Sequence, residues 1–183
     1  MTTFVLVHGA WHGGWCWRKV TERLRAAGHD VHAPTLTGLG DRLHLANPDV
    51  DLDTHIADVI AVMETEELSD VILCGQSYGG MVITGVADRA ARFLSGLVYL
   101  DAFVPPNGSG LEQMLPPERQ EANLNRVAEQ GEGWRIAAPE NNLWGIVAAE
   151  DRAWVERRIV EHPFKCMTQP LTHGYPWMNI ANR

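Results

Sequence analysis

The chain has 183 residues, 45% of them apolar and 21% charged, enough for one domain with a substantial core. Its formal net charge of −8 argues against charge-driven binding to nucleic acid or to an anionic membrane surface. No apolar run reaches bilayer-spanning length, so no membrane partner is expected.

Phe4 to Val7 is a short apolar run ending at His8-Gly9, without a preceding basic region. It reads as a buried first strand and not as a secretory signal. Trp17, Val20, Leu24 and Ala27 recur at helical spacing, and Gly28 stands where a helix end favours a left-handed residue. Asp30 to Ala33 reads as a second strand, stopped by Pro34. After a polar, glycine-containing loop, a second helix begins near Asp53 or Thr54, either of which can cap it, with Ile56, Val59, Ile60 and Met63 on its apolar face. Val71 to Cys74 is the third strand, Gly80 to about Ala91 the third helix and Leu97 to Leu100 the fourth strand, ending at Asp101. This strand–helix alternation predicts an α/β fold, a mainly parallel sheet with helices on both faces.

The texture changes after Val104. "PPNGSGLEQMLPPERQ" is broken by proline and glycine, and helices are expected at about Pro117 to Gln130 and Asp151 to Glu161. The expected divisions are a core at 1–104, a helical lid at 105–169 and an irregular tail at 170–183. The three cysteines, Cys16, Cys74 and Cys166, are an odd number without metal-like spacing. They are expected to be buried free thiols, in keeping with a reducing cytoplasm.

Gly75-Gln76-Ser77-Tyr78-Gly79 fits G-x-S-x-G between a strand and a helix. In that setting a serine sits on a strained turn with its hydroxyl exposed, ready to act as a nucleophile. The competing reading is a glycine-rich turn with a capping serine. Acyl transfer also needs backbone N–H groups for the developing oxyanion. One would come from Tyr78, at the start of the helix, and another from the loop "HGAWHGGW", whose glycines let the backbone approach. His8 and His12 in that loop are not on a helix and have no carboxylate beside them, so a metal site is not expected and no cofactor is implied.

"FVLVHGAWHGGWCW", "LTGLGDR", "GQSYGGMV" and "LVYLDAFVP" together resemble the α/β-hydrolase branch of plant methylesterases, hydroxynitrile lyases and related bacterial esterases. The likeness runs from about Phe4 to Leu171. It implies an α/β-hydrolase fold, Ser77 as nucleophile, Ala10 and Tyr78 as oxyanion donors, and a lid over an acyl pocket. Lyases of this branch carry threonine where this chain has Gly9, which favours ester hydrolysis. The family places its triad acid and histidine beyond "QPL", where only twelve residues remain here. The resemblance therefore implies a truncated fold and an incomplete triad. By position, His173 is the candidate base and Asp101 the candidate acid. Packing or loop hydrogen bonding is the alternative for Asp101. His29, His32, His44, His55 and His162 are expected to be solvated or structural.

Met114, Leu115, Trp134, Leu143 and Trp144 make the lid apolar, which suggests a small apolar or aromatic ester as substrate. The rival expectation is a non-catalytic module that binds a small ligand or self-associates. A four-stranded sheet would leave the fourth strand as an open edge. That predicts a homodimer through the edge or through exchanged segments, tail pairing, or poor solubility. The chain would equally be a piece of a longer one.

Overall fold

Four short apolar runs become four parallel strands. They are β1 (Thr3–Val7), β2 (Asp30–His32), β3 (Val71–Ser77) and β4 (Leu94–Ala102), in the order β2-β1-β3-β4. The computed structural model describes residues 1–139, 144–174 and 180. Helices α1 (Arg18–Ala26), α2 (Leu52–Thr65) and α3 (Gly79–Ala90) connect successive strands. Side chains alternate across the strands and build two cores. Val5, Val7 and Leu73 meet α2 and α3 residues such as Ile56, Val59, Val82 and Val86. Leu6, Val31 and Cys74 face the other way, toward Trp17 and Leu24 at α1.

Helix α2 starts earlier than expected. Asp51 is the cap: its carboxylate accepts from the Thr54 N–H at 3.0 Å, and the Thr54 side chain returns toward the Asp51 N–H. This reciprocal pair satisfies two otherwise open donors and places the boundary at Leu52. Strands β3 and β4 are longer than expected because their pairing continues from Val71↔Leu94 to Ser77↔Ala102. Helix α1 ends at left-handed Gly28, as its sequence implies, but buries no residue fully, and Val20 is exposed.

Beyond β4 the chain forms α4 (Pro117–Gln130), the short strands β5 (Arg135–Ile136) and β6 (His162–Pro163), α5 (Ala149–Glu156) and α6 (Lys165–Thr168). Strands β5 and β6 pair antiparallel. Helix α5 stops sooner than the expected Glu161. The reason is that the Val160 N–H leaves the helical pattern and donates to the Trp11 carbonyl at 3.0 Å. Leu171 bridges to Ser109, fastening the start of the tail; the expected tail is described as far as Gly174 and at Ile180, and its other residues lie outside the described residues. All three cysteines are free; Cys74 and Cys166 are buried, and Cys16 is only partly so. Among the described residues no helix is long and apolar enough to cross a membrane.

Candidate active site

The G-x-S-x-G turn is forced by close backbone approach. A Cβ on Gly75 would lie 2.5 Å from the Gly79 carbonyl oxygen, and one on Gly79 would lie 2.8 Å from the Val7 carbonyl oxygen. Only glycine lets β3, the turn and α3 meet so closely. Ser77 is held at φ 52°, a left-handed conformation that is strained for serine. Its carbonyl accepts from the Phe103 N–H at 3.1 Å. Opposite this turn the β3–β4 register slips, Gln76 pairing with Leu100 and Ser77 with Ala102. Asp101 is the extra residue of that bulge, at φ 45° and exposed.

The loop after β1 is pinned on several sides. His8 Nδ1–H donates to the Gly9 carbonyl at 2.8 Å, and its Nε2 accepts from the Leu36 N–H at 3.1 Å. Burial pushes the His8 pKa down to about 3, so the ring stays a neutral bridge between two loops. Trp11 is also left-handed, at φ 65°. Its indole N–H donates to the Ile136 carbonyl at 2.9 Å, and its own carbonyl receives the Val160 N–H. The segment after β4 therefore holds the loop that carries Ala10.

Ser77, Ala10 and Tyr78 line one cavity of about 170 Å³ together with Trp11, Phe103, Leu111, Leu115 and Trp144. Ser77 and Ala10 also line a second, outer cavity of about 360 Å³, together with His12, Val20, Leu100 and Asp101. His173 lines neither cavity. It is buried, with Nε2 3.0 Å from the Pro105 carbonyl and its N–H donating to the Asn107 side chain at 2.9 Å. The structure thus brings Ser77, Ala10 and Tyr78 together, sets Asp101 at the outer mouth, and holds His173 by bonds to other groups.

Tyr78 is fully buried behind the turn. The Thr37 carbonyl can only accept, so His55 Nε2 carries the proton donated to it at 2.9 Å, and His55 Nδ1 accepts from the Tyr78 hydroxyl at 2.8 Å. Burial lowers the His55 pKa to about 4 and drives that of His162 well below its usual value. Both histidines are core groups, which selects the structural reading over the solvated one.

His55, His162 and Cys166 place their ligand-type atoms within 4.8 Å of one another. Both His55 nitrogens are committed to Tyr78 and Thr37, and burial raises the Cys166 thiol far above its usual range. As folded, this is a neutral packing cluster, and a cation would have to displace the Thr37 bond.

Of the expected apolar lid residues, Leu115 and Trp144 line the inner cavity. Met114 packs against the main core, Trp134 lies under the Arg135 guanidinium, and Leu143 is outside the described residues. The sequence reading missed Glu112 and Asn123, which also line this cavity. Glu112 is only 6% exposed, and Asn123 Nδ2 donates to both of its oxygens, at 2.9 and 3.2 Å. Burial raises the Glu112 pKa, while the Asn123 amide and the Arg119 charge oppose the rise.

Residues 4–182 match the family described as the alpha/beta hydrolase family. The chain is 49% identical over 181 residues to the carbendazim hydrolyzing esterase of Nocardioides sp. (strain SG-4G), a match covering 93% of this chain and 73% of that one. It is 37% identical over 126 residues to methyl jasmonate esterase 1 of Vitis vinifera, covering 66% of this chain and 48% of that enzyme. Among solved structures, an extracellular alpha/beta-hydrolase from a Paenibacillus species superposes with TM-score 0.85 at 24% identity, covering 96% of this chain and 73% of that one. A pyrethroid hydrolase from Sphingobium faniae JZ-2 gives TM-score 0.72 at 27% identity, covering 98% of this chain and 75% of that one. These relatives are ester-hydrolysing enzymes or hydrolases by name.

Proposed function

Since the chain belongs to the alpha/beta hydrolase family, we propose that it is a serine-nucleophile carboxylic ester hydrolase acting on small apolar or aromatic esters. The observation that carries this is the left-handed Ser77, opening on a cavity shared with Ala10 and Tyr78. Ser77 Oγ attacks the ester carbonyl and gives up its proton to a base. The N–H groups of Ala10 and Tyr78 hold the tetrahedral oxyanion, favoured by the N-terminus of α3. The alcohol leaves with the proton, and water then attacks the acyl-enzyme to release the acid. Gly9 supports hydrolysis over lyase chemistry, because the lyases that this chain resembles carry threonine at that position.

His173 oriented by Asp101 is the base carried forward from the sequence. To serve, its Nε2 must leave the Pro105 carbonyl. That same bond favours a second function, a non-catalytic module that keeps the cavity but not the turnover. Loss of a triad histidine costs on the order of 10⁶ in turnover in a comparable serine hydrolase. The test is hydrolysis of p-nitrophenyl acetate and of carbendazim, the compound named for the Nocardioides relative. Turnover lost in both Ser77→Ala and His173→Ala supports the full assignment. Turnover kept in His173→Ala removes His173 alone. Turnover that persists in Ser77→Ala removes the nucleophile, and no turnover in the unaltered protein favours the module.

The proposal also includes self-association along β4, an edge strand with Val98 and Leu100 exposed. A cytoplasmic location rests on the three free thiols.

A further inference from the structure

We propose that the inner cavity has a second recognition group: Glu112, held by Asn123, accepts a hydrogen bond from a neutral N–H on the non-reacting end of an aromatic substrate. Apolar side chains, Trp11, Phe103 and Leu115 among them, line much of the cavity. A buried carboxyl in such a place is costly unless its oxygens are satisfied. Each carboxylate oxygen offers about two acceptor sites. The Asn123 amide takes one on each oxygen, which fixes the carboxyl in the wall and leaves acceptor capacity beside the cavity.

The charges around it narrow the ligand class. Arg119 and Arg126 line the same cavity, so their charge opposes a cation near Glu112. An anionic group would meet the Glu112 carboxylate directly. A neutral donor on a flat apolar body meets neither objection; an N–H-bearing heteroaromatic ester is the class that fits. This deepens the esterase assignment by naming its substrate class, and it rests on Ser77 marking the reacting end. A site built to receive a hydrogen bond discriminates strongly against an isostere that lacks the donor, because the acceptor is then left unpaired.

The test compares methyl indole-5-carboxylate with methyl benzofuran-5-carboxylate, which differ by an N–H in place of an oxygen at the ring end remote from the ester. Calorimetric titration of the Ser77→Ala protein reads binding without turnover. The indole ester is expected to bind about 10-fold tighter or more, the range of hydrogen bonds to charged groups. In Ser77→Ala/Glu112→Gln the ratio is expected to fall to about 2-fold, since the amide loses the charge and turns a donor toward the cavity. Equal or unmeasurable binding of both esters to Ser77→Ala would overturn the proposal, as would a ratio that survives in the double variant. If Glu112 only tied its loop to α4, the two esters would bind alike. An intact ratio with no hydrolysis by the unaltered protein would support this subsite while removing the esterase assignment.

Discussion

Replacing Gly75 by alanine tests the claim that close packing aims Ser77. The new Cβ would stand 2.5 Å from the Gly79 carbonyl oxygen, 2.7 Å from its carbon and 2.9 Å from Ile83 Cγ2. Ordinary contact begins near 3.4 Å, so β3 and the first turn of α3 must part by about 0.9 Å at the oxygen. Two of those neighbours are backbone and cannot rotate away. Overpacking of this kind costs about 1–3 kcal/mol. For a chain of this size, that lowers the unfolding midpoint by about 2–4 °C per kcal/mol. The same displacement moves Ser77 and Tyr78 relative to Ala10, and a misplacement near 1 Å can cost on the order of 100-fold in turnover. Gly96→Ala in β4 is the matched control, since its Cβ would meet only Ile72 Cγ1, at 3.8 Å. Calorimetric melting and p-nitrophenyl acetate turnover of both variants provide the comparison. Gly75→Ala with the stability and turnover of Gly96→Ala would refute the packing argument.

Tyr78→Phe removes the hydroxyl bonded to His55 Nδ1 but keeps the Tyr78 backbone N–H. It is expected to cost about 1–3 kcal/mol in urea unfolding for the unpaired buried acceptor, with turnover changed much less. Low pH should destabilise the fold. His8 and His55 are held neutral with pKa values near 3 and 4, whereas the unfolded chain protonates them near 6.5. Their contribution is full above about pH 6.5 and is lost as pH falls toward 4 and then 3, by up to about 1.4 kcal/mol per unit for each histidine. Urea midpoints that stay level from pH 7 to pH 4.5 would contradict it. Leu100→Lys on the exposed edge should convert dimer to monomer in light scattering; a protein already monomeric at high concentration would contradict self-association along β4.

The elbow was legible because its glycine spacing reports backbone contact, a requirement written locally in the chain. The parallel sheet was legible for a similar reason: apolar runs and helical periods alternate through the first hundred residues. The α2 boundary was misplaced because "DVDLDT" offers three aspartates, and only the Thr54 side chain's return to Asp51 selects among them. Glu112 carries no signal in the sequence, since the Asn123 amide that holds it stands eleven residues away. His55 and His162 gave no hint of burial because residues far along the chain, Tyr78 and Trp11, meet their rings. The end of α5 was hidden likewise, being set by the Val160 bond to Trp11.

A crystal structure of the protein after reaction with a p-nitrophenyl alkylphosphonate tests the central claim most directly. Phosphorus bonded to Ser77 Oγ should carry one oxygen within about 2.7–3.1 Å of both the Ala10 and Tyr78 nitrogens. An unmodified Ser77, or a phosphoryl oxygen turned away from those two amides, would contradict the account.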